Sequence, residues 1–108
     1  MAETAPELKQ VIQRYRAELA RMGIGVERIL LFGSWARAAA EEGSDIDLVV
    51  VSADFASFSQ RERLEKLGIA AARILEPIQA QGFTPEEIAR GQLLPFWQQV
   101  VQEQAVVV

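Results

Sequence analysis

Two short stretches hold the residues best able to do chemistry, Gly33-Ser34-Trp35-Ala36-Arg37 and Ser44-Asp45-Ile46-Asp47-Leu48. Asp45 and Asp47 open an apolar run, Asp45 to Ser52, whose β-branched residues read as a strand covered on both faces. Alternate residues of a strand share a face, so the two carboxylates project to one side with Cα atoms about 6.5–7 Å apart. Paired carboxylates repel and lose hydration unless something positive lies between them. A divalent cation relieves that conflict, and water and phosphate oxygens then complete a magnesium octahedron. Gly33 and Ser34 stand where one strand ends and a helix begins. Glycine permits close backbone approach, and the first amides of a helix favour an anion such as a phosphate. Arg37 follows Ser34 by about one helical turn and adds a cation on the same side. A phosphate cradle beside paired carboxylates is the arrangement of phosphoryl or nucleotidyl transfer, where catalysis is mainly positioning and charge neutralisation.

The elements that must position these groups are legible in the periodicity. Thr4-Ala5-Pro6-Glu7 reads as a helix start, with Leu8, Val11, Ile12, Tyr15, Leu19 and Met22 at helical spacing and an end near Gly23. Val26 to Phe32 reads as a buried strand that stops at Gly33-Ser34, and the Ala-rich stretch to about Ala40 favours a short helix. After the Asp45–Ser52 strand, Ser59-Gln60-Arg61-Glu62 is a capping box for a helix carrying Leu64, Leu67, Ile69, Ala71, Ile74 and Leu75. Pro77 to Phe83 is a weaker strand, since proline belongs on sheet edges or strand starts. Thr84-Pro85-Glu86-Glu87 starts a further helix that Gly91 can end, and an apolar segment runs from Leu94 to Val108. Alternation of this kind predicts one α/β domain over residues 1–108, a small mixed sheet of about three strands or more flanked by helices.

Composition narrows the chemistry. The 108 residues include no histidine and no cysteine, which excludes histidine bases, thiol nucleophiles, disulfides and zinc ribbons. Oxygen-only ligand sets favour magnesium, manganese or calcium. The net charge of −4, from 15 acidic and 11 basic residues, argues against extended nucleic-acid binding, which needs a clustered cationic face. The N-terminus has no apolar segment behind a basic start and no run reaches the roughly 18 apolar residues of a membrane span, so a cytoplasmic location is expected.

Gly33-Ser34-x-Ala36-Arg37, followed after a short interval by Asp45-Ile46-Asp47-Leu48, resembles the signature of the DNA polymerase β-like nucleotidyltransferase superfamily, and within it the minimal nucleotidyltransferases. That resemblance implies ATP as nucleotide substrate with two magnesium ions, Gly33 and Ser34 at the triphosphate with Arg37 and Ser44 beside them, and Asp45 and Asp47 as catalytic metal ligands. The family adds a third carboxylate on the next strand. Counting back from Thr84 places that position on or near Gln79, which shares a polar face with Gln81, while Glu76 alternates to the other face. Glutamine accepts no proton, and loss of a positioned base costs typically a hundred- to ten-thousand-fold. The alternatives are a Glu76 that reaches in through a shifted register and a slow or silent site.

Larger members of the superfamily carry a helical domain for the acceptor, and this chain is too short to hold one. The resemblance therefore implies a partner, a helical toxin-like protein of the HEPN type, with this chain acting as antitoxin by transferring AMP to a tyrosine hydroxyl or by occlusion. A binding module that has kept the fold and lost the chemistry is the competing expectation. Phe96, Trp97, Val100, Val101 and Val106 to Val108 then form a docking or homo-oligomerisation stripe.

Overall fold

The computed structural model describes residues 6–36 and 44–108. Helix α1, Pro6–Arg21, has proline in its first turn and leads through Gly23 into strand β1, Arg28–Phe32. A short helix α2, Gly33–Ala36, follows directly. Strand β2, Ile46–Val51, leads into a 3₁₀ turn over Ala53–Ser57 and then helix α3, Gln60–Arg73. Strand β3, Ile78–Phe83, and helices α4, Pro85–Ala89, and α5, Pro95–Gln99, complete the expected order. A π turn over Val100–Gln104 and a two-residue strand β4, Val106–Val107, come last.

The four strands lie in the order β3-β2-β1-β4. β1 pairs antiparallel with β2 and β4, whereas β2 pairs parallel with β3 through the α3 crossover. Pro77 immediately precedes β3, and β3 lies on the sheet edge, where a missing donor does least harm. The third predicted strand is therefore real. The fourth was expected only as part of an apolar stripe; Val106 and Val107 extend the sheet instead, and Val108 donates its amide to the Ile29 carbonyl at 3.0 Å.

Both faces of the sheet are covered, as the unbroken apolar run of β2 predicts. On one face Leu8, Ile12, Tyr15 and Leu19 of α1 and Leu67, Ala70 and Ala71 of α3 pack on Ile29, Leu31, Ile46, Leu48 and Val50. The Tyr15 hydroxyl crosses this core to donate to the Leu67 carbonyl at 2.9 Å, and burial holds its pKa above the ordinary tyrosine value. On the other face Val100, Leu93, Trp97 and Val101 cover Leu30, Val49, Val51 and Phe83.

Side-chain capping fixes where the helices start. Ser59 accepts from the Glu62 amide while Glu62 accepts from the Ser59 amide, and Thr84 and Glu87 repeat the exchange at α4. Glu87 is also held from outside its helix. Arg63 of α3, 4% exposed, donates to both Glu87 oxygens at 2.8 and 3.1 Å and to the carbonyls of Phe55, Phe58 and Gly82. At Gly82 the backbone comes close to an aromatic ring, since a Cβ there would lie 2.8 Å from the Phe55 ring. The Arg63 hydrogen bonds hold the Glu87 carboxyl below its ordinary range, with the Thr84 amide adding to the effect.

Candidate active site

Register alone brings three positions into line. Phe32 of β1 pairs with Asp47 of β2, and Asp47 pairs with Gln79 of β3. Directly opposed residues point to the same face, so this row crosses the sheet at the C-terminal end of β1. The next row on that face is Leu30, Val49 and Gln81, so along β1 and β2 the carboxylate sits at the end of an apolar strip, with glutamines beside it on β3.

Gly33 closes the β1 side of the row. Its φ of +72° is open to glycine at little cost, and a Cβ there would fall inside contact distance of the Asp47 carboxylate. Glycine at this point is thus required twice, by the turn and by the carboxylate packed against it. Trp35 of α2 donates its indole N–H to the Ser44 carbonyl at 3.3 Å, tying the start of the β2 segment back to the helix that follows β1. Ser34 lies beside Gly33 in α2. Arg37 lies outside the described residues.

Asp45 stands one residue ahead of β2 and is exposed. Gln79 donates its side-chain amide to Asp45 Oδ2 at 3.0 Å. Because Gln79 is also the register partner of Asp47, both carboxylates lie toward the same polar end of the sheet, as two-residue spacing predicts. Glu76 does not join them: it pairs with Arg14 of α1 at 3.1 Å, on the opposite side of the sheet. The two alternatives left by the sequence therefore separate, with Gln79 at the site and Glu76 away from it.

The nucleotidyltransferase domain family matches residues 12–98, most of the chain, from within α1 into α5 and including β1, α2, β2 and β3. The chain belongs to this family. No match is found among curated proteins. Among solved structures, a toxin–antitoxin complex with AMP-PNP superposes with a TM-score of 0.57 at 23% identity, over 92% of this chain and 69% of that one. A candidate nucleotidyltransferase from Sulfolobus solfataricus superposes with a TM-score of 0.53 at 16% identity, over 99% of this chain and 89% of that one. At such identities the likeness is one of fold.

The donor chemistry of the nucleotidyltransferase site suits a hard divalent cation. Asp45 and Asp47 supply carboxylate oxygens at the end of β2, and Gln79 directs an amide donor at Asp45. Among the described residues no third His, Cys, Asp or Glu joins the pair. Two carboxylates fit one magnesium ion that keeps water and substrate oxygens in its shell.

One neighbour of this site was read from sequence only as part of an apolar stripe. Trp97 of α5 packs edge-on against Phe32 at 5.5 Å and against Phe83 at 5.8 Å, so it spans the face just below the carboxylate row. The available signal was parity: Gln79, Gln81 and Phe83 alternate on one face of β3, and something must cover Phe83.

Proposed function

We propose that this nucleotidyltransferase domain transfers AMP from ATP to a hydroxyl on a partner protein and serves as the antitoxin of a pair whose other member is a helical protein of the HEPN type, with a tyrosine as the acceptor. The observation that carries the reading is the Asp47 carboxylate packed against Gly33 with Asp45 beside it on the same sheet end. The AMP-PNP-bound toxin–antitoxin complex of the same fold supports the nucleotide and the partnership.

In this reading Gly33 and Ser34 let the triphosphate approach the backbone on the β1 side, and Arg37 and Ser44 flank it. Asp45 and Asp47 hold magnesium, which when bound would neutralise charge on the transferring phosphoryl group. The acceptor oxygen bonds to the α-phosphorus, the bond to the β-phosphate oxygen breaks, and pyrophosphate leaves. In-line geometry places the incoming hydroxyl opposite the leaving group, which is the Gln79 side of the row. Gln79 can position that hydroxyl but cannot take its proton, so the proton passes to solvent and the reaction is slow compared with a carboxylate-assisted one.

The test is incubation with α-labelled ATP, magnesium and the helical partner. Label on the partner that disappears in Asp47→Asn supports transfer; no label with wild type and Asp47→Asn alike overturns it. A second reading is favoured by the hydrogen bond from Gln79 to Asp45. In it the domain binds nucleotide and neutralises its partner by complex formation, so that Asp47→Asn leaves protection intact while disruption of the interface abolishes it.

A further inference from the structure

Strand β3 is one edge of the sheet, and its inner side fixes what its outer side presents. The Ile46 amide donates to the Pro77 carbonyl at 2.8 Å and the Ser52 amide to the Phe83 carbonyl at 3.0 Å. In a parallel pair, alternate residues turn both backbone groups to the same neighbour, so residues 77, 79, 81 and 83 face β2 while Ile78, Ala80 and Gly82 face outward. Two of the outward groups are satisfied within the chain. The Ile78 amide donates to the Glu76 carbonyl at 2.9 Å, and the Gly82 carbonyl accepts from Arg63 at 3.1 Å and from Gln60 at 3.4 Å. The Ile78 carbonyl, both groups of Ala80 and the Gly82 amide are left on the open side, where among the described residues no strand meets them.

That remainder is its own complement. An antiparallel copy centred on Ala80 sets Ala80 opposite Ala80, where the two exchange both hydrogen bonds, and sets each Gly82 amide opposite the Ile78 carbonyl of the other copy. The groups unused in such a pairing, the Ile78 amide and the Gly82 carbonyl, are the two already satisfied internally. Charge agrees. A two-fold axis places residues against their own copies, and like charges directly opposite destabilise a ladder, but β3 reads Ile-Gln-Ala-Gln-Gly-Phe and carries none. The lysines and bulges that guard many edges are missing from it, and Pro77 protects only its start. Exposed leucines lie beside the same edge. Gln60 reaches Gly82, and Leu64, four residues on, shares its side of α3 and is 47% exposed. Leu75, in the link from α3 to β3, is 89% exposed and has a left-handed φ of 57°. Because α3 runs back along β3, Leu64 flanks the end of the strand and Leu75 its start, so the same axis brings Leu75 of one copy toward Leu64 of the other. The opposite edge, β4, is two residues long and too short to set a register.

We infer that β3 pairs antiparallel with β3 of a second copy of this chain, about a two-fold axis at Ala80, joining the two sheets into one. In this pairing Gln79 stands directly opposite Gln81 of the second copy, a non-hydrogen-bonded pair with Cα atoms about 4.5 Å apart. A carboxamide from the second copy thus borders the carboxylate row, next to the Gln79 amide that binds Asp45. The inference stands on the β3 edge alone and does not depend on AMP transfer.

Sedimentation velocity on the full chain, from micromolar to about 0.5 mM, should show a monomer–dimer equilibrium. Leu75→Asn should raise the dimer Kd roughly 10- to 100-fold, since the lost contact counts twice across the axis. Asparagine accepts a left-handed φ, so the dilute variant should melt no lower than wild type. Hydrogen exchange reads the edge without any substitution: the Ala80 amide should exchange freely in dilute protein and slowly in concentrated protein. A wild type that stays monomeric over the whole range overturns the inference, and so does a dimer whose Ala80 amide exchanges at the same rate as in dilute protein. Loss of the dimer on removing residues 106–108, with Ala80 exchange unaffected, would assign the interface to β4. Protection of Ala80 only on addition of a different protein would give the edge to that protein's strand. Either outcome overturns the pairing of two copies.

Discussion

Replacing Gln79 by glutamate changes one amide group and should make the domain's stability depend more steeply on a bound divalent cation. The wild-type amide donates to Asp45 Oδ2 at 3.0 Å, a bond to a charged acceptor of the kind worth about 1.5–3 kcal/mol when sheltered. Both residues are exposed, so the lower end applies. Glutamate has the same shape and removes that bond. It also sets a third negative charge beside Asp45 and Asp47, and like charges near 4 Å cost about 1 kcal/mol in water and about 4 kcal/mol at a surface-like effective dielectric. With the hydrogen bond at its lower end and the repulsion near its water value because the contact is exposed, these predict a loss of roughly 2–3 kcal/mol in EDTA, on the order of 10 °C in Tm for a domain near 100 residues. Magnesium or manganese at about a hundred times its Kd returns about 2.7 kcal/mol, enough to cancel the loss. Thermal melts of wild type and Gln79→Glu, each in EDTA and in millimolar manganese, measure the crossover. Equal melting shifts in EDTA and in manganese would refute the assignment of Gln79 to the metal-facing row. In the labelled-ATP assay the same variant should transfer faster, since it restores a group able to take the acceptor proton.

Other outcomes follow from the same contacts. Arg63→Met strands the Glu87 carboxylate and the carbonyls of Phe55, Phe58 and Gly82, and should cost about 3–5 kcal/mol in urea unfolding. Glu87 lies below its ordinary pKa because Arg63 binds it, so its contribution is complete above the ordinary glutamate range and disappears as pH falls through the lowered value. Unfolding free energy should therefore drop on acidification below about pH 5, less steeply in Glu87→Gln. Gly33→Ala must hold a left-handed φ at roughly 1–2 kcal/mol and displace the Asp47 carboxylate; nucleotide affinity by calorimetry should fall well beyond what that stability loss explains. Removing residues 106–108 strips β4 from β1 and the Val108 contacts from the core, and should lower stability by roughly 1–3 kcal/mol in urea melts.

The positions that were readable in the sequence are those governed by local rules. The Ser59–Glu62 capping box, the helix start at Thr84, the parity of Asp45 and Asp47, and the count from Thr84 back to Gln79 depend on neighbours within a few residues; the caps at Ser59 and Thr84 and the pairing of Asp47 with Gln79 are seen in the fold, whereas the Thr4 helix start lies outside the described residues. The positions that were not readable depend on distant partners. Arg63 looks like any surface charge in a charged cluster, because its carbonyl partners arrive from the 3₁₀ turn and from β3. Val106 and Val107 look like a loose apolar tail, because a two-residue strand carries no periodicity and exists only through β1. Phe96 and Val100 entered the sequence reading as one stripe, yet Val100 is 1% exposed and Phe96 61%. Trp97 sits between these extremes and touches Phe32, which links the stripe to the carboxylate row rather than to the outer surface alone.

The parallel pairing of β2 with β3 also divides the site into a part held locally and a part held across a crossover. Gly33 meets Asp47 within an antiparallel pair of strands adjacent in sequence, whereas the Asp45–Gln79 bond spans 34 residues and waits for α3 to cross over. Loop closure grows only slowly with length, by about 0.6 kcal/mol per doubling, but parallel pairing must be completed before any of its contacts is gained. The Gly33–Asp47 contact thus depends on neighbouring elements, while the Gln79 amide reaches Asp45 only through the α3 crossover, so a substitution that loosens α3 on the sheet should disturb the Asp45 side of the pair before the glycine side.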